Sequence, residues 1–301
     1  MTTCVRQAWL TMGSQSIALE NTAAGYFCQS LDLGYPEVRD VMSNRPDQDG
    51  VDDRSQFFGA RTVTAAITAL RGAGAQIDAV ASSFAPYMQP SARPVLHYIL
   101  DRPGAAERTI TLRASGYSWP VVGADQRDIQ LQWVAADPRV YDPTQRTATA
   151  WSGASGAQGR TYNLTFNRIY PPGGGSSTTA YFTSAGDLKV WPLLRIYGPV
   201  SGPIVSISFV PSATYPDVGI IAFRSSYVIS AGQWVDVDAA RRTAYANSDR
   251  TQNVLNQIDW SNTVRWPYII PLPATAVMGL RGQNTSGVTQ VQAIWQDAYL
   301  T

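Results

Sequence analysis

Leu31-Asp-Leu-Gly-Tyr-Pro-Glu-Val-Arg39, a polar run from Asp40 to Gln56, and Phe57-Phe58-Gly59-Ala60-Arg61-Thr-Val-Thr-Ala-Ala-Ile-Thr-Ala-Leu70 form the stretch on which the reading of the fold turns. The two outer pieces alternate apolar and polar residues, so each predicts a strand with one buried face. Between them stand Asn44, Pro46, Asp47, Asp49, Gly50, Asp52 and Asp53, all turn formers or loop-favouring acids. They predict a long loop. A two-residue hairpin would join such strands with far less chain, and loops of this length inside a compact domain usually have a task or a partner.

Working outward, Val5 to Met12 and Tyr26 to Leu31 read as short strands, split by polar residues from Glu20 to Gly25. After Leu70 the period changes. Ile77, Val80, Ala81, Phe84 and Met88 fall at helical spacing and predict one amphipathic helix, disturbed by Pro86. Strands return at Val95 to Leu100, Thr109 to Arg113 and Asp128 to Val134. One helix among several strands predicts a compact α+β unit. Asp142 to Thr147 and Ser152 to Gly159, rich in Pro, Gly, Ser and polar residues, read as a connector or edge loop.

From Tyr162 onward the chain is strand after strand with no helical period. Tyr162, Leu164 and Phe166 alternate with polar residues, and Pro171 to Ser177 is a loop. Val205 to Phe209, Gly219 to Phe223, Tyr227 to Ile229, Trp234 to Val237, Arg241 to Tyr245, Tyr268 to Ile270, Val277 to Leu280 and Val291 to Trp295 continue the series. Many short strands with frequent turns predict a β-sandwich. The expected organisation is residues 1–141, a linker or edge loop over 142–160, and a second domain over 161–301.

The composition narrows the function. A chain of 301 residues that is 45% hydrophobic and 15% charged forms cores and is not a disordered segment. Its net charge of +1, with scattered basic residues, argues against a nucleic-acid binder. Lys189 is the sole lysine, which reads as codon bias more than chemistry, although arginine also suits interfaces. No apolar run approaches a membrane span, and the first residues have no signal-peptide pattern. Cys4 and Cys28 make no disulfide framework and no zinc spacing. A bridge between them stays open, but free or buried thiols fit better.

Catalytic chemistry finds little material. His97 is the single histidine and lies within a strand, where a hydrogen-bonded structural role fits better than a catalytic base. The glutamates are Glu20, Glu37 and Glu107, scattered, and no metal spacing is visible. Asp47-Gln-Asp49-Gly50-Val-Asp52-Asp53 has its glycine in the wrong place for an EF-hand loop and reads as a solvated acidic loop. No catalytic, cofactor or metal residue is assigned, and no enzyme activity is expected. Six tryptophans of the second half could stack on sugars, though core packing is the default for strand aromatics. Trp260 and Trp266 flank an apparent loop and are the least core-like.

The order "LxLGYPxVRD … DGxDD … FFGARTVT", with Asp137-Pro-Arg-Val-Tyr141, resembles the N-terminal domain of the distal tail (Dit) family, minor tail proteins of phages with long non-contractile tails. In the second half, three stretches resemble the same family: Ser184-Ala-Gly-Asp-Leu-Lys-Val-Trp-Pro192 with Ile196-Tyr-Gly-Pro199, Ser230-Ala-Gly-Gln-Trp-Val-Asp-Val-Asp238 with Arg241 to Tyr245, and the closing Trp266 to Trp295. Leu272-Pro-Ala-Thr-Ala276 departs from the family's Pro-Gly-x-Asn. The resemblance implies a mainly β structural virion protein. Its α+β N-terminal domain would form the hub ring, one helix on a sheet, and a galectin-like β-sandwich would follow. The implied place is the phage tail tip, and the implied partners are copies of itself in a closed ring, usually six, the tail tube protein and the tail-tip hub or tail-associated protein. Within this picture, Arg39, Arg45, Asp49, Asp52 and Arg54 are the candidate interface residues. The loop that holds them is expected to order only in the assembled particle. The alternative is a carbohydrate-binding sandwich that contacts host surface glycan through Trp260 and Trp266.

Overall fold

The computed structural model describes residues 5–44, 51–70, 77–123, 125–152, 179–215, 218–261, 264–286 and 288–300, with backbone alone at 40–44, 51–56 and 121–123. The chain divides into two compact units, Met1–Pro143 with Leu300–Thr301, and Thr144–Tyr299.

The first unit contains the strands β1 (Val5–Met12), β2 (Gln15–Ala18), β3 (Tyr26–Asp32), β4 (Val38–Asn44), β5 (Val51–Phe58) and β6 (Arg61–Leu70). Helix α1 (Ile77–Phe84) follows, then β7 (Val95–Leu100), β8 (Arg108–Thr111), β9 (Arg113–Ser118), β10 (Val121–Gly123), β11 (Gln126–Ala135) and β12 (Val140–Tyr141). One sheet runs β2-β1-β7-β8-β12 and another β10-β11-β6-β3, with β9 also on β11. β9 and β10 share one side of β11, and Pro120, which lacks a ladder donor, falls in the break between them.

Alternation explains the core. Val63, Ala65 and Ile67 of β6 stand opposite Trp133, Leu131 and Ile129 of β11, and all are buried. Each large member stabilises the unit by about 1.5–3 kcal/mol. Helix α1 buries Val80, Ala81 and Phe84, with the Phe84 ring edge-on to Tyr26 at 5.8 Å. Tyr117 donates its hydroxyl proton to the Ala81 carbonyl at 2.7 Å, tying β9 to the last turn of the helix. Pro86 then tightens the chain into a 3-10 turn, Ala85–Met88.

The decisive stretch departs from its sequence reading in three ways. Leu31 to Arg39 is not one strand, because Gly34 takes φ +60° and Pro36 follows, so β3 ends at Asp32 and β4 begins at Val38. A Cβ on Gly34 would lie 2.1 Å from the Thr62 carbonyl oxygen, so the close approach also demands glycine. Phe57 to Leu70 is likewise divided, with β5 ending at Phe58 and β6 starting at Arg61. Most of the run expected to be a loop is strand. β4 and β5 pair antiparallel from Val38–Phe58 to Asn44–Val51, as a two-stranded sheet of their own. Backbone pairing, which needs no apolar period, makes these polar segments strands.

The second unit contains β13 (Arg146–Trp151), β14 (Thr179–Phe182), β15 (Leu193–Tyr197), β16 (Val200–Val210), β17 (Gly219–Ala222), β18 (Val228–Ile229), β19 (Trp234–Asp238), β20 (Thr243–Ala246), β21 (Thr275–Gln283), β22 (Gln290–Trp295) and β23 (Ala298–Tyr299). One sheet runs β13-β22-β15-β19-β20, the other β14-β21-β16-β17 with β18 on β16. Leu194, Ile196, Val235, Val237 and Val291 of the first are buried, as are Val205, Ile207, Phe209, Met278 and Ile221 of the second. The Phe182 and Trp295 rings meet at 4.9 Å. This is a β-sandwich, and the chain as a whole is mainly β.

Arg146–Trp151 corrects the connector reading, since it pairs along its length with β22. Tyr268 to Ile270, read as a strand, contributes only a bridge from Ile269 to Val190. Residues 153–178, including the alternation at Tyr162 to Phe166 and the loop at Pro171 to Ser177, lie outside the described residues.

Candidate functional site

The feature of the first unit that its own core does not explain is the β4–β5 arm. It pairs with neither of the unit's other sheets. At its base Tyr35 is 72% exposed, Val38 51%, Phe57 55% and Phe58 41%. Val38 lies opposite Phe58, and Arg39 opposite Phe57. The Gly59 amide donates to the Glu37 carbonyl at 2.6 Å and closes the base. Scattered exposed apolar residues are ordinary, but contiguous ones mark contact surfaces.

Of the candidate interface residues, Arg39 is exposed on β4 at this base. Asp52 and Arg54 belong to the β5 backbone, with Asp52 opposite Ser43. Arg45 and Asp49 lie outside the described residues. Trp260 is 54% exposed and Trp266 half-buried. Both belong to a segment held against β17, through Asp259 N–H to the Ala222 carbonyl and the Arg265 bridge to Ile220.

His97 has defined partners. Its Nδ1 lies 2.7 Å from Glu107 Oε1, its Nε2 2.9 Å from Thr11 Oγ1, and its ring stacks on Trp9 at 5.2 Å. Hydroxyl, imidazole and carboxylate in line have the form of an acyl-transfer triad. β1 and β7 are interior strands, paired on both sides, so their amides serve the ladders. The cluster ties β1, β7 and the entry to β8 together. Among the described residues no group of three or more His, Cys, Asp or Glu is placed to hold a metal ion. Cys28 is a free thiol whose Sγ lies 3.4 Å from the Ser30 carbonyl, and burial pushes its pKa up, the opposite of a reactive cysteine.

The sequence motifs turn out to be locks. In Asp137 to Tyr141 the Asp137 carboxylate accepts from the Tyr141 hydroxyl at 2.6 Å and the Arg139 amide at 3.2 Å. Burial first, then the Asp137 charge, pushes the Tyr141 pKa up. Ser184 donates to Asp297 Oδ1 at 2.8 Å, and Trp295 Nε1 donates to the same oxygen at 3.2 Å. Arg146 Nε lies 2.6 Å from Oδ2. Gly186 is required beside them, because a Cβ there would meet the Ala298 carbonyl oxygen at 2.1 Å.

Sequence reasoning did not single out a second charged network, on the outer face of the β13-β22-β15-β19-β20 sheet. Arg195 grips Asp236 with Nε–Oδ1 at 2.6 Å and Nη2–Oδ2 at 3.0 Å. The Ser248 hydroxyl donates to Asp236 Oδ2 at 2.6 Å and accepts from Trp234 Nε1 at 3.1 Å. The Asp236 hydrogen bond holds Arg195 above its ordinary pKa. The signal in the sequence was a charge at an outward strand position in each of Leu193 to Tyr197 and Trp234 to Asp238; only the register brings the two together.

No protein-family model and no curated protein matches the sequence. Solved structures do. The SPP1 Dit protein, described as a paradigm of the hub adsorption apparatus in phages infecting Gram-positive hosts, superposes with a TM-score of 0.60 at 10% identity, covering 97% of this chain and 98% of that one. A chain of the phage p2 baseplate in its activated conformation with Sr gives a TM-score of 0.50 at 11% identity, covering 97% and 98%. The resemblance carried by the motifs therefore holds in three dimensions: this chain has the fold of a phage distal tail hub protein.

Proposed function

We propose that the chain is a structural subunit of a phage tail tip, closing with copies of itself, six in number, into a ring that joins the tail tube to the tail-tip and receptor-binding apparatus. The observation that carries the ring is the β4–β5 arm, a strand pair bonded to no other strand among the described residues, with an exposed apolar base. A ring needs two complementary patches per subunit, arranged head to tail. Strand edges offer backbone donors and acceptors to a neighbour, and the aromatic base offers anchors. Arg39, Arg45, Asp49, Asp52 and Arg54 supply the charges that set register between subunits. The role requires no catalysis, and the two units act as separate domains joined near Pro143.

Negative-stain imaging with light scattering on the purified protein tests this reading. The expected result is a ring with the mass of six subunits. Val38→Asp with Phe57→Asp should give monomers with an unchanged melting curve, because both side chains are already half in water. A wild-type monomer at every concentration, together with normal tails assembled from the double variant, would overturn the proposal.

A further inference from the structure

The sheet β13-β22-β15-β19-β20 has an outer face unlike an ordinary wet sandwich surface. Register places Trp151, Gln290, Tyr197 and Trp234 side by side in one cross-strand row. The next row carries Gln292, Arg195 and Asp236. Their inward neighbours Ala150, Val291, Ile196 and Val235 are buried, so both rows point away from the core. The aromatic row spans three interstrand steps, about 14 Å.

The polar groups beside the rings are held in place. Arg195 and Asp236 neutralise each other in a two-pronged pair. Asn247 at φ 52° and Ser248 at φ 60° place two consecutive non-glycine residues in the left-handed region. That conformation is costly and persists where the surroundings impose it. Here it delivers the Ser248 hydroxyl to Asp236, Trp234 and Arg195 together. The Tyr197 hydroxyl donates to Gln292 Oε1 at 3.3 Å. The result is a row of half-buried rings beside fixed amide, guanidinium and carboxylate groups, with no net charge from the Arg195–Asp236 pair.

We infer that this face binds a neutral oligosaccharide. Sugar rings present apolar C–H faces, which aromatic side chains cover. They also present paired hydroxyls, which amides and a locked ion pair serve as donors and acceptors. The Arg195–Asp236 pair carries no net charge and so offers a charged polymer no net attraction. The site is distinct from Trp260 and Trp266, whose segment lies against β17 of the other sheet.

The test is titration of the full chain with cellotetraose, chitotetraose and mannotetraose, and with tetragalacturonate as the charged comparison, read by tryptophan fluorescence and calorimetry. The expected result is saturable binding of at least one neutral tetrasaccharide, weakened about tenfold or more by Trp234→Ala and by Trp151→Ala and unchanged by Trp260→Ala. Trp151→Ala decides the matter if Trp234→Ala does not fold. Three outcomes would overturn the inference: no saturable binding up to about 10 mM, binding that survives both substitutions on this face, or preference for tetragalacturonate. None of them bears on ring assembly, which is read separately.

Discussion

Replacing Asp297 in the second unit should separate the worth of its charge from the worth of its shape. The side chain is fully buried, accepts hydrogen bonds from Ser184 Oγ at 2.8 Å and Trp295 Nε1 at 3.2 Å, and forms an ion pair with Arg146, whose Nε lies 2.6 Å from Oδ2. Asp297→Ala leaves the first two buried without an acceptor, at about 1–3 kcal/mol each. Arg146 is 44% exposed and turns to water, so its loss adds little. The expected total is about 3–5 kcal/mol. At ~2–4 °C per kcal/mol for a unit of this size, the melting transition should fall by about 6–20 °C. Asp297→Asn keeps an acceptor for Ser184 and Trp295 and sets an amide against Arg146, so it should cost only about 1–2 kcal/mol. Urea unfolding followed by tryptophan fluorescence reads both variants, with the slope unchanged if only native-state stability is altered. Equal losses for Ala and Asn, or a loss below about 1 kcal/mol for Ala, would refute the reasoning.

Gly34→Ala should destabilise the first unit by at least about 2 kcal/mol, from the left-handed backbone and the contact with Thr62; a wild-type melting curve would contradict this. Tyr98 is fully buried, its hydroxyl has no hydrogen-bond partner among the described residues, and burial pushes its pKa from 10.0 up to about 12. Its neutral form therefore contributes stability that is complete below pH 10 and lost as pH rises toward 12. Tyr98→Phe should match or exceed wild-type stability at pH 7 and flatten that alkaline decline in melting temperature; a large loss at pH 7 would reveal a partner for the hydroxyl. His97→Ala should cost about 1–2 kcal/mol by loss of its ring stack and two polar contacts, with tail assembly and infectivity intact. Loss of infectivity from morphologically normal tails would expose a chemical role. Limited proteolysis should cut between the two units or within 152–159 and leave two stable fragments; one uncleavable block would count against separate domains.

What the sequence determined by itself was local. Alternation at Val63 to Ile67 and Ile129 to Trp133, and helical spacing from Ile77 to Phe84, follow from the geometry of strand and helix, so those elements and their buried faces were legible. The resemblance in motif order was legible too, because Gly186 is held by close approach to the Ala298 backbone, and Asp137 and Ser184 by their side-chain hydrogen bonds, which few residues can replace. The arm was not, since strand pairing between polar segments leaves no apolar period to read. Arg146–Trp151 looked like a linker because Thr147 and Thr149 alternate with small alanines and give no strong apolar period; pairing with β22 makes it a strand. The tertiary structure also decided which charges meet. Asp297 lies 113 residues from Ser184, and Asp236 lies 41 from Arg195. Periodicity says which side of a strand a residue occupies, but only register across the sheet says what stands beside it.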